Sequence, residues 1–159
     1  MILDPKIALR LQFLARVVRK ECHHLSATDG RLFQDEFTLS HAKRLETDFD
    51  LAERVEAFVS RFSRLQDTVG DKLLPVLLLA LGESSGAAID NLDRAERLGW
   101  AESADDWLAM RKLRNQMVHE YVEDPAVLAS ALQTGHVFVQ TLIRTADRML
   151  AEIQQRGWM

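Results

Sequence analysis

Apolar residues recur at steps of three and four along almost the whole chain, and no stretch alternates apolar with polar for more than a few residues. That periodicity predicts an all-α protein. Asp4 and Pro5 open a first helix whose stripe is Ile7, Leu11, Leu14, Val18, Cys22 and Leu25, ending near the polar segment SATDG at residues 26–30. Residues 26–49 are the least regular and read as a loop with a short helix near 40–46. From Asp50 a long stripe runs through Leu51, Val55, Phe58, Phe62, Leu65 and Val69; Gly70 and Pro75 then predict a kink or restart before an apolar segment ending at Leu81. A shorter helix should turn Ile89, Leu92, Ala95 and Leu98 inward and stop at Gly99. Another starts at Ser103. The last starts at Asp124 and Pro125 and carries Leu128, Leu132, Gly135, Val139, Leu142, Ala146, Met149 and Ile153 on one face. With short connections between these segments, the expected architecture is a single domain spanning residues 1–159, an antiparallel bundle of four to five helices.

Composition narrows this only a little. A chain of 159 residues, 47% of them hydrophobic, can bury a real core. The net charge of −4 gives no overall attraction to polyphosphate, so any nucleic-acid contact must come from a local basic patch or an oligomer groove. One cysteine excludes an internal disulfide framework, and with no signal-like opening segment a cytoplasmic location is expected. The longest apolar run, residues 73–81, is too short to span a bilayer and contains Pro75, so no membrane segment is expected.

The segment RNQMVHEYVED, residues 114–124, breaks the pattern. On an ideal helix at about 100° per residue, Trp107, Met110, Leu113, Met117, Val118 and Tyr121 form one apolar arc, and Arg114 falls in the middle of it. A buried guanidinium needs a partner, which the plain structural reading supplies as an ion pair with Asp67 or Asp71 and a functional reading supplies as a phosphate. His119 lies about 140° around from Arg114, with Asn115 one turn below it, so the three do not share one face. They converge on one phosphate only if the helix distorts, the arginine reaches round or a twofold dimer joins two copies. His119, near the negative end of the helix and close to Glu120, Glu123 and Asp124, suits general acid or base work, although a surface histidine at a helix end is more commonly a cap.

Arg114, then four residues, His119, one residue and Tyr121 resembles the signature of the HEPN superfamily, in particular the HepT-type proteins that pair with minimal nucleotidyltransferases in bacterial toxin and antitoxin operons. The resemblance is clearest over residues 50–152 and includes Asn115, which matches the polar residue that follows the family arginine. It implies a metal-independent endoribonuclease, with no cofactor, acting on tRNA or mRNA across a homodimer groove. His119 would be the acid or base, Arg114 would hold the scissile phosphate, Asn115 would orient it, and Tyr121 would be the site where a partner nucleotidyltransferase adds AMP. A rival reading keeps the fold and makes the chain a non-catalytic nucleotide- or partner-binding subunit; an adaptor bundle without ligand is the plainest.

Other features carry less. Arg61, Arg64 and Asp67 lie on the helix expected to face the motif; Arg64, with Lys72 and Arg111, is a candidate contact for RNA phosphate, against the plain reading of a solvated face. Cys22, His23 and His24 are consecutive on a helix and point in three directions, which disfavours a metal site. Trp100, Trp107 and Trp158 read as packing or interface residues.

Overall fold

The computed structural model describes residues 2–119 and 123–159, with the side chain of His119 outside the described set. All regular structure among these residues is helical. Helix α1 spans Pro5–Leu32, with the Asp4 carboxylate accepting the Lys6 amide at 2.8 Å. It therefore runs past SATDG, where the sequence suggested a stop. Gly30 inside a helix costs about 1 kcal/mol, but the turn that holds it also buries Thr28, Asp29 and Leu32 against the core.

The segment expected to be mostly loop is also shorter than expected. Helix α2, Leu39–Lys43, begins with a reciprocal cap between Thr38 and His41, and a 3-10 turn, Arg44–Glu46, follows it. Helix α3, Phe49–Asp67, is capped by Asp48 and buries Val55, Phe58, Phe62 and Leu65. It does not break at Gly70. A π-turn, Thr68–Leu73, carries it directly into α4, Leu74–Ala80. Pro75 explains the widened turn, because it has no N–H to send back to the Asp71 carbonyl and its ring would crowd that carbonyl in a regular α turn.

Helix α5, Ala88–Arg97, buries Asn91, Leu92 and Ala95 but leaves Ile89 58% and Leu98 43% exposed, which corrects their expected inward placement. At steps of three the positions drift about 60° each around the helix, so Ile89 and Leu98 fall about 180° apart and only Leu92 and Ala95 between them face the core. Gly99 does end this helix, at φ +82°. Helix α6, Ala104–His119, starts where the Ser103 hydroxyl accepts the Asp106 amide, and α7, Pro125–Gln155, where the Asp124 carboxylate accepts those of Ala126 and Val127. All eight stripe positions expected of the last helix are buried.

Cross-helix contacts set the directions of these helices. Arg61 meets Thr28 while Thr68 meets Glu21, so α3 runs antiparallel to α1. Gln12 meets the Trp158 carbonyl while His136 meets Asp29, so α7 does too. Asp67 and Asp71 face Arg114 and Arg111, placing α6 antiparallel to α3. The result is an up-down-up-down bundle of α1, α3–α4, α6 and α7, with α2 against α7 and α5 against α6. Helix α7 also contains a window of mean hydropathy 1.3, long and apolar enough by composition to cross a membrane. Of that window 39% is buried.

Candidate functional site

Two ion pairs cross the seam between α3 and α6. Arg114 Nη2 lies 3.1 Å from Asp67 Oδ2, and one turn away Arg111 Nη2 lies 2.7 Å from Asp71 Oδ1. The rungs form because Asp67, the last residue of α3, and Asp71, in the π-turn that continues it, lie about one turn apart, Arg111 and Arg114 are three apart on α6, and the two helices are antiparallel. The apolar arc explains how an arginine is tolerated inside it. Trp107, Met110, Leu113 and Met117 are buried, but Val118 is 48% exposed, so the arc is open on the side of Arg114. The Arg114 head reaches that opening and remains 32% exposed. Its Nε, by contrast, is buried without a hydrogen-bond partner among the described residues.

The opening is a groove of about 470 Å³ between α3 and α6. Arg64 and Arg114 line it together with Asp67; Val59, Met117 and Val118 form its apolar walls, and Glu56, Ser60 and Ser63 continue it along α3. Glu56, Ser60, Ser63 and Asp67, at intervals of four, three and four, occupy one helical strip. Thr68 Oγ1 donates to Glu21 Oε1 at 3.0 Å, while Glu21 Oε2 is buried without a hydrogen-bond partner among the described residues. Burial pushes the Glu21 carboxyl above its ordinary range, against the opposing pull of Thr68, Arg64 and Lys72.

The motif residues divide at this point. Arg114 and Arg64 share the groove. Arg111 is committed to Asp71, and Lys72 and Asn115 are exposed and do not line the groove. His119 is the last residue of α6, and Tyr121 lies outside the described residues. The described backbone between Arg114 and His119 is helical, which preserves the angular separation that the sequence implied. No group of three or more metal-ligating side chains occurs among the described residues. Burial pushes the Cys22 thiol up to about 12, with Asp147 and Glu21 adding to the shift, so it is a poor metal ligand or nucleophile.

The sequence reading missed the strip of Glu56, Ser60 and Ser63, although its spacing was visible beside the apolar stripe of α3. It also missed a contact it had no means of finding. Asp29, 8% exposed, meets His136 Nδ1 at 2.7 Å, with the Phe33 ring stacked on the imidazole at 4.4 Å, and these residues are more than a hundred positions apart. Comparison of the chain with protein-family models, curated proteins and solved structures finds no match in any of the three.

Proposed function

We propose that the chain is a metal-independent endoribonuclease that holds the scissile phosphate at the mouth of the α3–α6 groove. The observation that carries this reading is the convergence of Arg64 and Arg114, from two different helices, on one open groove beside the helix that ends in His119. The resemblance of Arg114, His119 and Tyr121 to the HEPN signature supplies the chemistry. The Arg114 fork grips the non-bridging oxygens, while Asn115, which does not line the groove, would orient the phosphate only from a second copy in a dimer. His119 takes the proton of the 2′-hydroxyl as its oxygen bonds to phosphorus. The bond from phosphorus to the 5′-oxygen then breaks, and that oxygen takes up a proton. The products are a 2′,3′-cyclic phosphate and a 5′-hydroxyl, with charge neutralised by arginine in the absence of a metal ion.

Asp67 competes for Arg114, but an ion pair this exposed is worth about 0 to 1 kcal/mol and yields readily to a phosphodiester. A homodimer about the motif helix would bring a second His119 to the groove and relieve the separation of Arg114 from His119 on one helix. In this reading a minimal nucleotidyltransferase silences the toxin by adding AMP to Tyr121, whose phosphodiester and nucleoside occupy the charge and space that RNA requires. Incubating tRNA and mRNA with the wild type and His119→Ala in EDTA tests the assignment. Cleavage by the wild type, lowered more than about tenfold in the variant, supports it. Intact RNA at high enzyme concentration overturns it.

The separation of Arg114 from His119 along one helix favours a second reading, in which the same groove binds a nucleotide without cutting RNA and the chain serves as a subunit of a nucleotidyltransferase. Nucleotide binding without cleavage selects this alternative.

A further inference from the structure

We infer that the α3–α6 groove is a seat for one guanine nucleotide, with the phosphate at Arg64 and Arg114 and the base edge at Glu56. This rests on the reading that Arg114 takes a phosphate, and it adds which base lies beside that phosphate. Three observations carry it. The groove volume of about 470 Å³ falls within the range of small-molecule sites. Its charge is polarised along α3, with the guanidinium groups of Arg64 and Arg114 outweighing the Asp67 carboxylate at one end and the carboxylate of Glu56 at the other. Between them the walls are apolar, made by Val59, Met117 and the half-exposed Val118.

Glu56 and Arg64 are eight residues apart on a regular helix, about 12 Å along its axis. An extended nucleoside monophosphate covers that distance from phosphate to the far edge of its base. The base would lie against Val59 and Val118 and so remove their apolar surface from water. Ser63 already donates its hydroxyl to the Val59 carbonyl at 2.7 Å, which leaves Ser60 and Glu56 as the polar groups facing the base.

An ionised carboxylate only accepts hydrogen bonds. Guanine presents two adjacent donors, N1–H and the 2-amino group, that engage both carboxylate oxygens. Adenine and cytosine set a single amine beside an acceptor nitrogen that the carboxylate repels, and uracil flanks its one donor with two carbonyl oxygens. The groove therefore selects guanine by pairing its donors and by repelling the acceptors of the other bases.

Calorimetric titration of the whole protein in EDTA with 3′-GMP, 3′-AMP, 3′-CMP and 3′-UMP tests this. The expected result is binding of 3′-GMP about tenfold tighter than the others. Glu56→Gln should remove most of that preference by weakening 3′-GMP and tightening 3′-AMP, whose acceptor nitrogen the amide no longer repels, and the retained 3′-AMP binding also controls for folding. Arg64→Gln should weaken all four nucleotides together. Equal affinity for the four, or a guanine preference that survives Glu56→Gln, overturns the inference. The two readings fail separately: RNA cut without regard to guanine removes the seat and keeps the nuclease, whereas guanine-selective binding without cleavage keeps the seat and removes the nuclease.

Discussion

Arg114 occupies a position where the apolar arc would place a leucine, and its placement was half legible in the sequence. The helical angles required a partner for the guanidinium and named Asp67 as one, and the structure pairs the two at 3.1 Å. The open side of the arc was not legible, because Val118 counts as apolar in any pattern and only packing shows that it stays half-exposed among the described residues. The pair also provides a test of what Arg114 does. Asp67→Asn should change stability by no more than about 1 kcal/mol and should tighten RNA binding, measured by fluorescence anisotropy, because it removes the charge that competes with phosphate. A loss of several kcal/mol with no gain in binding would make the arginine structural. At Glu21 the sign differs from that of an ordinary paired carboxylate. Its raised folded pKa means that the unfolded chain releases this proton first, so the residue lowers stability as pH rises from the unfolded value near 4.5 through the folded one. Glu21→Gln should therefore raise the midpoint of denaturant unfolding at pH 7, by less than about 1 kcal/mol given its partial exposure, and have no such effect below about pH 4.

At the scale of the elements, the long stripes were the legible part. Those of α3 and α7 are buried nearly position for position, because a long amphipathic helix has only one face to bury. Short elements departed from expectation for a corresponding reason. In α5 the repeated step of three carries Ile89 and Leu98 to opposite sides, and at the end of the long α1 the helix continues through Gly30 because of contacts made by Asp29 with α7. The π-turn was foreseen as a disturbance at Gly70 and Pro75 but not as a continuous helix. Its Gly70 has a packing role of its own, since a Cβ there would lie 2.9 Å from the Nε1 of Trp107 on α6. Gly70→Ala should cost about 1 to 3 kcal/mol in chemical denaturation. In a Trp107→Phe background, where the indole nitrogen is gone, the same change should cost less. An equal cost in both backgrounds would show that the contact is not what excludes a side chain.

For the whole molecule, the bundle brings Arg64 and Arg114 to one groove, and a regular helical backbone from Arg114 to His119 sets the two positions about 140° apart around α6, so two copies are expected to act together. Sedimentation at micromolar concentration should show a homodimer, and a strict monomer would remove the second copy from the mechanism. Periodicity made the antiparallel bundle legible. It could not reveal the groove, which exists only where two helices meet. The most direct measurement of the central claim is single-turnover cleavage, in EDTA, of a short RNA and of the same RNA carrying one 2′-deoxy nucleotide at the cut position. The expected result is a 2′,3′-cyclic phosphate and a 5′-hydroxyl from the first, no cut at that position in the second, and a rate more than about tenfold lower with Arg114→Ala. Cleavage of the deoxy-substituted position, or RNA left intact until a divalent metal is added, would contradict it.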